Sequence, residues 1–431
     1  MDDNIKTFVD MKISALHRRL HVLCFERIYA HFFMYHTRKL RQKFILKSLR
    51  KKKTVNVVFF AVNVSMWKYQ HLYDLMSGCD RFKVSIVLAP FVNYPEAQQE
   101  FDMKCLREYF DAKGIGYYDF KSKFINIRKE LHPDILFYPQ PYKKVFDSHY
   151  NSTSFYGKLL AYYPYGFWTS VGDWSYNNEF QNLAWKLYYS TELHRKDAET
   201  CARNKGENVV IVGYPGADDF LQSSFKDVWK IKDPKIKRLI WAPHFTIDPA
   251  RSEVARANFL WMAPIMLSIA QEYKDRLQIA FKPHPSLKSE LYKHKDWGQA
   301  KADAYYDKWA TMPNTQLESG EYVDLFMTSD AMVHDSGSFS VDYLFSHKPL
   351  MFVSQNLDYI LSTQGEFGRK VYEMPYIGKD EADIRHFIDD VVLGGDDPMQ
   401  EKRQAFFNQY LLPPNGNSTA QNTLDDLLAS L

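Results

Sequence analysis

Leu-Gln-Ile-Ala-Phe-Lys-Pro-His-Pro (Leu277–Pro285) and Ala-Met-Val-His-Asp-Ser-Gly-Ser-Phe-Ser-Val-Asp-Tyr-Leu-Phe (Ala331–Phe345) decide the fold. Each opens as a short apolar run of strand length and stops abruptly in polar residues. Continuous apolar runs suit a parallel sheet covered by helices on both faces. In such open sheets, ligands bind just beyond the carboxyl ends of the strands. Lys282 and His284 end the first run. Ser336, Gly337 and Ser338 end the second, ahead of a helix whose free N–H groups attract phosphate. Together they predict a nucleotide-phosphate pocket.

Working outward, Arg238–Pro243 and Pro349–Val353 add strands to the same series. Helices are predicted at Asn258–Tyr273, Val323–Thr328 and Val341–Ser346. An earlier series of strands runs through Val55–Val62, Lys83–Pro90, Gly116–Phe120, Asp134–Pro139, Leu159–Tyr165, Leu187–Thr191 and Asn208–Tyr214. The polar stretch Gln222–Lys237 separates the two series as a linker. The expected fold class is α/β: two doubly wound, Rossmann-like domains facing a cleft, the GT-B architecture. The expected boundaries are 54–225 for the first domain, 238–395 for the nucleotide-binding second domain and 396–431 for C-terminal helices. After Val55–Val62 the chain continues Asn63-Val64-Ser65-Met66-Trp67 without a G-x-G-x-x-G fingerprint, which argues against a dinucleotide-dependent oxidoreductase. No Walker A sequence is present, which argues against a P-loop NTPase.

A chain of 431 residues is too long for one ordinary core, which again favours two domains. Its net charge of +3 hides an asymmetry. Residues 1–53 carry 14 Lys and Arg against four acids, whereas the remaining 41 basic residues face 48 acidic ones. A basic head on a mildly acidic body implies a local anionic partner and no general affinity for nucleic acid. Ile13, Leu16, Leu20, Leu23, Ile28, Phe32, Leu40, Phe44 and Leu49 recur at helical spacing among those basic residues. Residues 1–53 are thus expected to form a basic amphipathic helical segment, lying on an anionic membrane surface or packed on its own domain. The sequence shows no signal peptide and no apolar stretch of membrane-spanning length. The four cysteines are scattered. The expected location is cytoplasmic, peripheral on the inner face of the cell membrane.

Three strand tips in the second half share a design. Trp241–Thr246 offers His244 and Thr246, Phe281–Pro285 offers Lys282 and His284, and His334–Ser338 offers His334, Asp335 and two serines around Gly337. Neighbouring parallel strands would place these tips on one rim, where hydroxyls, backbone N–H groups and a cation oppose a diphosphate. Simpler roles exist for each: His284 between two prolines fixing a turn, His334 and Asp335 as a buried pair, Ser336 and Ser338 capping a helix. Tyr165, Trp168 and Asp173, in the aromatic stretch Tyr162–Trp174, suit recognition of a polyol or sugar acceptor, or a loop tucked onto the first domain. The acidic pairs Asp218-Asp219, Asp389-Asp390 and Asp425-Asp426 lack neighbouring ligands, so no metal site is expected, and no cofactor.

These segments resemble the CDP-glycerol glycerophosphotransferase family of teichoic-acid and capsule polymerases and primases. The resemblance rests on Trp241-Ala-Pro-His244, Lys282-Pro-His-Pro285, Asp335-Ser-Gly-Ser338, Val341-Asp-Tyr343, His347-Lys-Pro349 and Val212-Gly-Tyr-Pro215, in family order across roughly residues 155–355. It implies transfer of a polyol phosphate from a CDP-linked donor to an acceptor hydroxyl of a glycan or lipid-linked molecule, with release of CMP. On that basis Lys282 and His284 are expected at the diphosphate, and Ser336, Gly337 and Ser338 at phosphate or nucleotide. His244 is expected as base or charge stabiliser, and Asp335 as the group orienting His334 or the ribose. Three positions depart from the family pattern: Tyr165 stands where the family has a tip histidine, Gly216 where it has arginine, and Gly337 where it has the first serine of a pair. Glycosyltransferases that use CMP-Kdo, CMP-sialate or a UDP-sugar share the histidine-proline and serine-rich tips. A degenerate glycan-binding protein without activity is the remaining alternative.

Overall fold

A computed structural model describes residues 32–247 and 257–431. Ile13, Leu16, Leu20, Leu23 and Ile28, on which part of the N-terminal helical pattern rests, lie outside the described residues. Within them, helix α1 (Tyr35–Leu49) is present. Met34 and Leu49 are buried, but Phe32, Leu40 and Phe44 stand exposed instead of packing on the domain.

The first sheet has seven strands, all parallel: β1 (Val55–Ala61), β2 (Phe82–Leu88), β3 (Tyr118–Asp119), β4 (Ile135–Tyr138), β5 (Leu159–Tyr162), β6 (Lys186–Tyr189) and β7 (Val209–Ile211). Their order is β3-β2-β1-β4-β5-β6-β7. The second has six: β8 (Lys237–Ala242), β9 (Leu277–Phe281), β10 (Thr315–Leu317), β11 (Ala331–His334), β12 (Leu350–Val353) and β13 (Tyr376–Gly378), in the order β10-β9-β8-β11-β12-β13. It too is parallel throughout. Both orders reverse direction beside the first strand of the sheet, giving switch points between β1 and β4 and between β8 and β11. Alternation along each strand feeds two cores per sheet. Leu239 and Trp241 of β8 face one side, while Ile240 and Ala242 face the other.

Four further helices position the site: α2 (Gln70–Ser77) after β1, α3 (Ala217–Phe220) after β7, α4 (Phe259–Glu272) after β8, and α5 (Gly337–Asp342) after β11. The Gln222–Lys237 stretch is bonded to the second sheet. Trp229 is buried there with its indole N–H on Thr328, and the Lys230 and Ile231 amides donate to the Gln316 and Gln278 side chains. The last helix, α6 (Thr419–Ser430), packs on the first domain, where Ala420, Leu424 and Leu427 join the core formed by Phe59, Leu72 and Met76. Asp218 accepts the Thr419 and Ala420 amides at its start.

The two sheets also meet along a seam. The Gly365 amide donates to the Thr169 carbonyl at 2.9 Å, and the Val171 amide to the Thr363 carbonyl at 3.2 Å. Phe167 stacks on Phe367. Gly368 allows this approach, since a Cβ there would stand 2.3 Å from the Thr169 carbonyl oxygen.

Candidate functional site

The sheet register levels the three tips. Trp241 pairs with Phe281, and Ala242 with His334, so His244, Lys282 and the Asp335 turn leave the sheet at the same height around the β8/β11 switch point. His244 and His284 do come together, with ring centroids 5.1 Å apart. The Phe245 ring lies 4.4 Å from that of His284 and walls the pair. His284 Nδ1 accepts the Ser286 amide at 3.1 Å, leaving the ring proton on Nε2. Burial and the Lys282 ammonium hold its pKa down at about 4. His284 is therefore a neutral hydrogen-bond donor near pH 7, not the protonated group that would oppose a diphosphate by charge.

Charge on this rim comes from Lys282. Its pKa is lowered to about 8 by burial, against the raising influence of Glu318, so it remains mostly protonated at neutrality. Its Nζ donates to the Gly320 carbonyl at 2.9 Å and ties the 318–322 loop to the tip of β9. Thr246 Oγ1 lies 3.0 Å from His244 Nδ1, fixing that ring. Ser336 precedes α5 without capping it through its side chain; Ser336 and Ser338 hydroxyls stand 3.4 Å apart.

Asp335 does something the sequence did not suggest. Its fully buried carboxylate turns away from His334 and accepts the His244 amide at 2.6 Å and the Asn258 amide at 2.5 Å. Asn258 in turn donates to the Val353 carbonyl. Two side chains, Asp335 and Asn258, thus bracket the β8 tip, the start of α4 and the end of β12. Burial raises its pKa to about 6, against the lowering effect of those bonds. His334 is held by the Ser336 carbonyl at Nδ1, and burial lowers its pKa to about 3. Both residues position the rim from beneath.

On the facing sheet, Tyr165 and Trp168 both reach the Tyr162 hydroxyl, while Asp173 lies on a separate short helix. Tyr165 stands after β5, close to Tyr94 and Tyr142 from the loops after β2 and β4. Burial raises the phenol of each, and Tyr165 and Tyr142 affect each other's surroundings; the Tyr142 pKa reaches about 12. Trp168 gives its indole N–H to Tyr162, and its carbonyl meets His194 Nε2 in the seam. Asp173 opens a short helix beside Cys201. Tyr165 belongs to the aromatic rim, and Trp168 adjoins it through the Tyr162 hydroxyl. Tyr94, Tyr142, Phe245 and Asn258 were missed, because isolated aromatic and amide residues on loops carry no periodic signal.

Between the two rims lies a polar cluster. Lys68 Nζ sits 5.4 Å from the centre of the Tyr322 ring, across from its own sheet. The Tyr322 hydroxyl donates to buried Asp342 at 2.7 Å. Burial raises the Asp342 pKa to about 6, and Lys68 draws it back. Tyr214 donates to the Tyr165 carbonyl at 3.4 Å and also reaches Asp342. His71 Nε2 pairs with Asp219 Oδ1 at 2.9 Å. Among the described residues, no group of three or more His, Cys, Asp or Glu side chains is placed to hold a metal ion.

Two all-parallel α/β sheets, each with a switch point beside its first strand, make a GT-B-like fold. The family follows from the sequence: the chain belongs to the CDP-glycerol:poly(glycerophosphate) glycerophosphotransferase family, whose model matches residues 174–421. No curated protein matches the sequence. Among solved structures, a variant of the wall teichoic acid polymerase TagF is similar at 13% identity and TM-score 0.58, over 92% of this chain and 95% of that one. A putative UDP-N-acetylglucosamine 2-epimerase from Listeria monocytogenes gives 12% identity and TM-score 0.57, over 87% and 96%. A UDP-GlcNAc 2-epimerase from Neisseria meningitidis bound to UDP-GlcNAc gives 12% and 0.53, over 87% and 100%. At these identities the likeness is one of fold.

Proposed function

We infer that the protein transfers a polyol phosphate, glycerol or ribitol phosphate, from a CDP-linked donor to an acceptor hydroxyl of a glycan or lipid-linked molecule and releases CMP. The observation that carries this reading is the convergence of His244, His284, Lys282 and the uncapped Ser336–Ser338 turn at the β8/β11 switch point, in a chain of this family. In this reading the Lys282 ammonium and the His284 Nε2–H meet the diphosphate. His244 and Thr246 complete the same rim, and the amides after Ser336 bind phosphate or nucleotide. Tyr94, Tyr142 and Tyr165 offer aromatic faces and hydroxyls to a polyol or sugar acceptor.

Ligand-induced thermal stabilisation tests the donor. A CDP-polyol at 100 times its dissociation constant should stabilise the native state by about 2.7 kcal/mol. Stabilisation by UDP-sugars or CMP-sugars and not by CDP-glycerol or CDP-ribitol would replace this reading with sugar transfer, which the UDP-GlcNAc-bound relative in fold makes the second choice. No response to any nucleotide would leave a glycan-binding protein.

The location fits the inner membrane face. No helix among the described residues is long and apolar enough to cross a membrane. On α1, Leu40 and Phe44 are exposed between Lys39, Lys43 and Lys47, and Phe32 and Phe33 are exposed just before it. Such a surface suits shallow insertion among anionic headgroups. Flotation with phosphatidylglycerol vesicles should be lost when Leu40 and Phe44 are both replaced by Ser. Unchanged flotation would dismiss this contact.

A further inference from the structure

The transfer above requires a group that accepts the proton of the attacking hydroxyl, and three of the titratable groups on the donor rim are already engaged. Nδ1 of His284 is taken by the Ser286 amide, and His334 is buried against the Ser336 carbonyl. Asp335 is occupied by two amides, and His244, its ring fixed at Nδ1 by Thr246, stands beside His284 on the donor side of the cleft. Across the cleft, the raised phenol of Tyr165 is a poor proton acceptor near neutrality.

Resting on the proposed reaction, we propose that His71, oriented by Asp219, is the base that takes the proton from the acceptor hydroxyl. The dyad stands at the other switch point, where β1 and β4 diverge and where open α/β sheets bind ligands. His71 lies on the first turn of α2, one turn after Lys68, which itself contacts Tyr322 of the second domain. The His71 side chain is 40% exposed, so a substrate can approach it. Its Nε2 faces Asp219 at 2.9 Å, which fixes the ring and leaves the lone pair on Nδ1. That is the division of labour of a carboxylate-oriented imidazole base.

The 318–322 loop joins this dyad to the donor rim. Its Gly320 carbonyl receives Lys282, and its Tyr322 meets Lys68 and Asp342. Asp342 ends α5, the helix that begins at the Ser336–Ser338 turn. A helix of six residues is about 9 Å long, so an acceptor filling the cleft can touch both ends. In the step itself, the acceptor oxygen forms a bond to the phosphorus that carries the polyol. The bond from that phosphorus to the CMP oxygen breaks, and its electron pair leaves with CMP. The hydroxyl proton goes to Nδ1 of His71.

The surroundings of the dyad are acidic. Asp219 raises the His71 pKa above its ordinary value chiefly through the hydrogen bond, with Asp218 and Asp74 adding to it against the lowering effect of burial. Asp342 and Glu321 come from the second domain, and Lys68 is the cation among them. A base works when deprotonated, so turnover should rise with pH through a value above 6.5.

The test measures CMP release from CDP-glycerol or CDP-ribitol, whichever the native protein turns over, with a short glycerol-phosphate oligomer as acceptor. His71→Ala should lower kcat by about 100-fold or more while leaving donor-induced thermal stabilisation unchanged. Added imidazole should restore part of the rate. Asp219→Asn should move the rising limb of the pH profile to lower pH, because the carboxylate that holds the proton on His71 is gone. A rate within threefold of native in His71→Ala, or an unchanged pH limb in both variants, overturns the proposal. If His71→Ala does not fold, His71→Gln serves with the same readouts. Native turnover of the donor tests the reaction itself, and the ratio of variant to native tests His71, so the two fail separately.

Discussion

His284→Ala is expected to cut CMP release by about three orders of magnitude, the upper part of the range for losing a positioned donor in a water-poor site. The imidazole is neutral near pH 7, because burial and Lys282 hold its pKa at about 4. It therefore acts through one Nε2–H bond whose direction is set by the Ser286 amide on Nδ1. Such a bond gains most where negative charge collects on the departing CMP phosphate. Packing should survive: the ring lies partly at the surface, against Phe245 and His244. The measurement is steady-state CMP release beside a thermal unfolding curve. A variant that unfolds natively yet keeps a tenth of the rate would remove His284 from the reaction.

Asp335→Ala should damage stability more than any single change on the rim. Two backbone amides, of His244 and Asn258, lose the carboxylate that accepts them. At about 1–3 kcal/mol for each unsatisfied donor, the loss is about 4 kcal/mol, or roughly 10 °C in the unfolding midpoint. The pH dependence has a definite sign. Burial raises the folded pKa to about 6, above the unfolded value of 3.8. The stability contributed by this group is thus present below about pH 4 and declines as pH rises through 6. The gap between native and variant should narrow between pH 5 and pH 7.5. A midpoint within about 2 °C of native at pH 5 would mean that the bracket is unimportant. Donor binding should weaken as well, since His244 hangs from it.

The fold was legible because most of its strands are apolar runs bounded by polar tips, and eleven of the thirteen fall where the sequence places them. The two strands not foreseen, β10 and β13, have three residues each and edge the second sheet. Thr315-Gln316-Leu317 carries no apolar run at all. On the rim, the residues were correctly gathered, since strand ends in register must share an edge. Their bonding was not legible. Asp335 was adjacent to His334 in sequence, but its carboxylate points to residues 77 and 91 positions away. The His71–Asp219 pair spans 148 positions and links the starts of two helices that only the fold brings together. Asp219 was visible as half of an acidic pair, whereas His71 had nothing local to mark it.

Helix α6 has a bearing on how this protein is made. Ala420, Leu424 and Leu427 fill the core beside Phe59, Leu72 and Met76, each buried aliphatic side chain being worth about 1.5–3 kcal/mol for the larger residues. The first sheet is complete in the nascent chain at Ile211, yet the helix that seals it comes about 200 residues later. Until then, an apolar groove on the first domain waits open on the ribosome, and the second domain must be synthesised and folded between the two halves of a single core. Cutting the chain between the sheets would accordingly yield two fragments, of which the first keeps an unfilled groove unless the terminal helix is supplied back to it.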